Sequence, residues 1–168
     1  MSGVVDHADV TLKIDTLLLS ALDLSTALDP LLVTEKLSLS NGTASGNASQ
    51  VWRDTRTLTA SATENLDFAG GLTNAFGVTL TFVRIKFIYI KASSANTNDV
   101  QVTRVATTGI PLFMADGDGI ALGPGEWFCF GSPTTGKAVT ATTDDTLTLT
   151  NSAGGTSVDY SIVVVGTD

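Results

Sequence analysis

One cysteine, one histidine and four prolines in 168 residues rule out several kinds of protein at the start. A single thiol, Cys129, excludes an intramolecular disulfide, and with His7 as the sole imidazole no Cys/His metal cluster can be assembled. Cys129 and His7 are the one thiol–imidazole pair available. In GEWFCFG the cysteine stands between bulky aromatics, which predicts a buried, inert thiol, because a reactive thiolate needs a cationic and partly exposed setting. No GxSxG elbow is present, and the glutamates are only Glu35, Glu64 and Glu126. The expectation is a protein that is not an enzyme and takes no cofactor. Charge is scarce as well: 15% of residues are charged, the nine cations form no run, and the net charge is −8. A nucleic-acid backbone or an anionic membrane surface is therefore excluded as a natural partner. The apolar stretch at residues 17–33 is broken by Asp23, Asp29 and Pro30, so it does not read as a membrane-spanning helix. The opening MSGVVDHADV has no basic segment followed by an apolar one, and synthesis in the cytoplasm is expected.

What the chain has is strand chemistry. Residues 78–91, VTLTFVRIKFIYIK, run without Gly or Pro and are dense in β-branched and aromatic side chains. Alternation puts Val83, Ile85, Phe87 and Tyr89 on one side and Arg84, Lys86, Ile88 and Ile90 on the other. That predicts one long central strand with the odd-numbered side in a core and the other side partly covered by a neighbouring layer or subunit. Shorter runs at 10–14, 31–40, 51–60, 62–68, 100–105, 110–114, 120–122, 126–130, 139–141, 146–151 and 158–165 read as further strands. Turn signals recur every eight to twelve residues: NGTASGNAS, AGGLTNAFG, ASSANTND, DGDG, GPG and SAGGTS. The Gly-Gly of SAGGTS predicts a hairpin between the last two strands. Residues 17–28 are open between a short helix, with Leu17, Ala21, Leu24 and Leu28 at helical spacing, and a buried strand followed by a turn. With no sustained helix elsewhere, the chain reads as all-β, an antiparallel sandwich or barrel.

Three places invite chemistry. Asp116 and Asp118 in DGDG resemble half of a calcium loop, but position twelve counted from Asp116 is Trp127, and Glu126 falls one residue early. A turn using Asp and Gly is the expectation there, and these two carboxylates are the candidate metal ligands if a cation binds at all. Trp52 and Trp127 could offer flat faces to a sugar. Trp52 beside Arg53, among polar neighbours, is the better candidate, while Trp127 among aromatics is expected in the core. The apolar amino-terminal segment, with Leu17, Leu18, Leu19 and Leu22, is expected to contact another subunit, together with Trp52 and Arg53. A flexible arm at residues 1–9 could carry that segment to a neighbour by strand addition.

From about residue 41 onward the chain resembles a family of small structural proteins of tailed bacteriophages. The matching stretches are NGTASGNAS leading into VWRDTRTLTASATENLDFAGGLTNAFG, VTLTFVRIKFIYIKASSANTNDVQV, GPGEWFCFGSP with Gly-Lys-Ala-Val, and DDTLTLTNSAGGTSVDYSIVVVG. Such proteins are similar to capsid decoration (cement) proteins. The resemblance implies a jelly-roll sandwich at residues 41–168, with residues 1–40 as an arm and first strands packed on the same domain or on a neighbouring subunit. It also implies a virion location, no catalytic residues, and the major capsid protein and further copies of the chain (a homodimer or homotrimer) as partners. The alternative is a carbohydrate- or receptor-binding module of a tail or fibre.

Overall fold

The computed structural model describes residues 5–21 and 24–168. It opens with two long strands, β1 (His7–Ala21) and β2 (Thr26–Asn41), antiparallel in unbroken register from His7 opposite Ser40 to Ala21 opposite Thr26. In the open choice at residues 17–28, residues 17–21 and 26–28 are strand, exposed rather than buried as expected, and among the described residues there is no helix. Leucines at helical spacing lose here to a ribbon in which Leu17, Leu18 and Leu19 take alternate faces. Leu22 and Asp23 lie outside the described residues. A two-residue β3 (Asn47–Ala48) adds parallel to the end of β2.

The body follows in order: β4 (Gln50–Leu58), β5 (Thr63–Asp67), the short pair β6 (Leu72–Thr73) and β7 (Thr79–Leu80), β8 (Arg84–Ala92), β9 (Val100–Thr103), β10 (Gly119–Leu122), β11 (Trp127–Gly131), β12 (Lys137–Ala138), β13 (Thr146–Asn151) and β14 (Val158–Thr167). Two four-membered layers pair as β11-β8-β14-β4 and β10-β9-β13-β5, with β12 alongside the start of β8. All of these pairings are antiparallel. Among the eight body strands the first pairs with the last (β4 with β14), the second with the seventh (β5 with β13), the third with the sixth (β8 with β11) and the fourth with the fifth (β9 with β10). The all-β sandwich expected from the turn spacing is the fold. The SAGGTS link is a correction: β13 and β14 belong to different layers, so the Gly-Gly carries the chain across the sandwich rather than around a hairpin.

Between the layers lies the main core. Leu147 and Leu149 of β13, Val100 and Val102 of β9, and Leu66 of β5 meet Ile88 and Ile90 of β8 and Tyr160, Ile162 and Val164 of β14. Trp52 of β4 is edge-on to Phe68, with ring centroids 6.5 Å apart, and Phe68 is edge-on to Phe82 at 6.0 Å. Each such side chain, fully buried, contributes roughly 1.5–3 kcal/mol.

The expected central strand is shorter and turned the other way. It begins at Arg84, and residues 81–83 are not strand. The register shifts between Val165 and Gly166, so that Phe87 opposes Val165 while Ile85 opposes Gly166, and Lys86 is the extra residue. This bulge reverses the alternation. Ile85 faces the core on one side of it and Ile88 and Ile90 do so on the other, while Phe87 and Tyr89 point outward. Gly166 permits the close approach, since a Cβ there would meet the Arg84 carbonyl oxygen at 2.1 Å. Lys86 is buried, and its ammonium donates to the Thr134 carbonyl. Burial, with Arg84 nearby, pushes its pKa below the ordinary lysine value.

Candidate interaction surface

The two outer faces of the sandwich differ. On the β10-β9-β13-β5 layer the outward side chains are hydroxyls and amides bonded to one another: Thr63 to Thr150 at 2.9 Å, and Thr148 donating to Asn65 at 2.7 Å. On the β11-β8-β14-β4 layer the outward side is divided. Toward one end it carries Thr55, Thr57, Asp159 and Ser161, hydrogen-bonded across β4 and β14, and toward the other it is apolar and forms a second core with the root of the ribbon. Leu39 of β2 is buried there with Ala48, Phe87 and Val165, and Ala8, Val10, Leu37, Val51, Tyr89 and Val163 pack around them. This cluster attaches the ribbon to the body.

Beyond the root the ribbon stands free. Every described residue from 11 to 32 is exposed. Fifteen paired residues extend roughly 50 Å at about 3.4 Å each. Opposed residues share a face, so the register assigns the side chains. One face carries Val10, Leu12, Ile14, Thr16 and Leu18 against Leu37, Glu35, Val33, Leu31 and Asp29, and at its root it packs into the second core. The other begins polar, with Asp9, Thr11, Lys13 and Asp15 against Ser38, Lys36 and Thr34. It then becomes apolar, with Leu17 and Leu19 against Pro30 and Leu28, and Leu32 opposite Asp15. We call this second side the leucine face. The exposed fractions are 56% for Leu17, 69% for Leu18, 58% for Leu19 and 62% for both Leu28 and Leu32. Hydrophobic side chains normally tolerate exposure singly, not in a continuous strip. A two-stranded ribbon is also marginal in water without a covering layer.

Against this surface the sequence-derived sites sort clearly. Leu17, Leu18 and Leu19 lie on the exposed ribbon, joined by Leu28, Leu31 and Leu32 from the return strand. What brings the second run beside the first is the antiparallel pairing of β1 with β2. Trp52 is corrected: it is 3% exposed in the main core, with the Arg56 guanidinium 5.3 Å from its ring centroid, and it cannot meet a partner or a sugar. Its neighbour Arg53 alternates to the outside and borders a groove of about 740 Å³ with Phe76, Asn74 and Asp168. Trp127 is also corrected: it is 52% exposed on the outer layer, tilted against Tyr89 with centroids 6.3 Å apart. Cys129, on the same side of β11, is exposed rather than buried. The half-buried side of that strand is Phe128 and Phe130. His7 is the first residue of β1 rather than part of a free arm, and its Nδ1 lies 2.8 Å from Asp6, whose hydrogen bond raises the imidazole pKa.

The two metal candidates are engaged elsewhere. Asp116 pairs with Nε of Arg104 at 3.2 Å, and Asp118 accepts the Ala115 amide at 2.8 Å, closing the turn. Among the described residues no group of three or more His, Cys, Asp or Glu is placed to hold a metal ion. One ionic network does cross the sandwich: Arg56 donates to Asp54 at 3.0 Å and to Glu64 at 2.7 Å, and Glu64 accepts the Tyr160 hydroxyl at 2.6 Å. It joins the two layers at an edge, and its chemistry is structural. No family model, curated protein or solved structure matches the chain.

Proposed function

We propose that the protein is a non-enzymatic virion structural protein: a jelly-roll sandwich that decorates the outside of a tailed-phage capsid and stabilises it as a homo-oligomer. The observation that carries this is the ribbon, a long apolar arm rooted in the second core and left uncovered by its own chain. Arms of this kind hold neighbours through area rather than through chemistry. The strand order supports the jelly-roll part, because pairing first with last and inward to fourth with fifth is what a single long hairpin gives when it is rolled into two layers. The hydroxyl-lined outer side of one layer, and the apolar ribbon rooted on the other, support an orientation with one side to solvent and the other to the shell. The net charge of −8 would keep free subunits soluble and away from nucleic acid.

The test is to incubate purified protein with heads that lack it, sediment them and count the copies bound. Saturation at a number commensurate with the capsid lattice, with heads more resistant to heat, is the expected result. No co-sedimentation at micromolar protein would contradict it. A second reading, a glycan- or receptor-binding module of a tail or fibre, is favoured by one observation, the solvent-facing Tyr89–Trp127 pair. Saturable glycan binding that is lost in Trp127→Ala, with no binding to heads, would select it.

A further inference from the structure

We infer that the leucine face of the ribbon is a self-association surface, packing against the same face of a second copy of the chain. This rests on the homo-oligomeric part of the proposed function and not on its capsid part.

Three observations choose a second copy as the occupant. The first is charge. The polar root of this face holds two carboxylates, Asp9 and Asp15, and two ammonium groups, Lys13 and Lys36, with Lys13 2.8 Å from Asp15 and Lys36 3.6 Å from Asp9. The face is electrically balanced on a chain whose net charge is −8. Two copies can approach here without the like-charge surplus they meet elsewhere, and a face that carries both signs can complement its own copy across a two-fold axis. The opposite face of the ribbon carries Glu35 and Asp29 with no lysine to offset them.

The second is area. Leu17, Leu19, Leu28 and Leu32, each more than half exposed, offer roughly 430 Å² per copy, and with the exposed polar root of the same face a pair reaches the roughly 1,000 Å² at which specific interfaces begin. The third is the ribbon's geometry. Pro30 lies within β2 and cannot donate to an added strand, which disfavours extension of the sheet on that edge. A strand added along β1 would extend the ribbon sideways and leave the leucine side chains, which project from its face, to be covered by stacking. The other ribbon face, with Leu12, Ile14, Leu18 and Leu31, is the one whose root, Val10, Leu37 and Leu39, packs on the body.

The experiment is sedimentation equilibrium of the full chain, with two variants. The first changes the leucine face (Leu17→Ser, Leu19→Ser, Leu28→Ser, Leu32→Ser); the second changes the opposite face (Leu12→Ser, Leu18→Ser, Leu31→Ser). Fluorescence of the buried Trp52 and the thermal midpoint report whether the body is intact. The expected result is a wild type of mass a multiple of 17.4 kDa at micromolar concentration. The leucine-face variant should be weakened at least about 100-fold in association with an unchanged body. The opposite-face variant should associate as the wild type does. A wild type that stays monomeric, or a leucine-face variant that keeps its mass, overturns the inference. So does a wild type that is monomeric in buffer and engages neutral phosphatidylcholine vesicles through the ribbon, which would assign the face to lipid. A monomer that still saturates heads refutes this inference and leaves the decoration reading standing, and an oligomer that ignores heads does the reverse.

Discussion

The Tyr160 hydroxyl on β14 donates to Oε1 of Glu64 on β5 at 2.6 Å, a hydrogen bond that runs from one layer of the sandwich to the other. Tyr160 is almost fully buried, and burial together with the neighbouring carboxylate raises its pKa well above the ordinary tyrosine value of 10. Tyr160→Phe should therefore cost about 1.5–3 kcal/mol at neutral pH, read from the urea midpoint. The pH dependence follows in sign. A group whose pKa is raised by folding contributes stability below its unfolded value and loses it as pH climbs beyond that value. Wild type should lose stability above about pH 10, and the Tyr160→Phe variant should lose less over the same range.

Asn151 offers a comparable loss. It is 1% exposed; its amide donates to the carbonyls of Thr59 at 3.0 Å and Thr156 at 2.8 Å, and its oxygen accepts from Asn98 at 3.1 Å. One side chain thus ties three loops together at one end of the sandwich. Asn151→Leu, similar in volume, should destabilise by about 1–3 kcal/mol because the part-buried carbonyls lose their donors. Thermal unfolding measures it directly.

The two tryptophans should part company. Trp52→Ala opens a cavity beside Phe68 and should cost about 3–5 kcal/mol, whereas Trp127→Ala should change stability by less than about 1 kcal/mol. Cys129 beside Trp127 should react with a thiol reagent in the native protein, without denaturant, at a rate close to that in urea. Slow modification that requires unfolding would contradict its placement.

The strand positions were largely legible because alternation and turn residues are local signals: Val100–Thr103, Thr146–Asn151 and the GPG turn, with Gly125 at φ 82°, follow from neighbours in sequence. Which side of a strand is inside was not legible where both sides are apolar. Alternation in VTLTFVRIKFIYIK offers two equivalent choices, the ribbon root covers the outer one, and the bulge at Lys86 exchanges them part-way. The same ambiguity exchanged Trp52 and Trp127, since a polar neighbour such as Arg53 says only that the next side chain points elsewhere. The helical spacing of Leu17, Ala21, Leu24 and Leu28 misled because it coexists with strand alternation, and pairing with residues 26–41 is a long-range fact that no local window holds.

Root and tip of the ribbon should behave differently under substitution. Leu39→Ala, in the second core, should cost about 2–4 kcal/mol in the thermal unfolding of the body. Leu28→Ala, on the exposed ribbon, should leave the body's midpoint within about 0.5 kcal/mol while weakening association.

Whether the arm is covered in the working protein is most directly measured by amide hydrogen exchange across residues 7–41 at micromolar protein, where the copies associate. The account predicts slow exchange of the amides bonded between β1 and β2 along the whole ribbon, and fast exchange of those in its outer half in the leucine-face variant. Exchange within seconds along residues 11–32 of the wild type, with the body protected, would show an arm that finds no second copy and would contradict it.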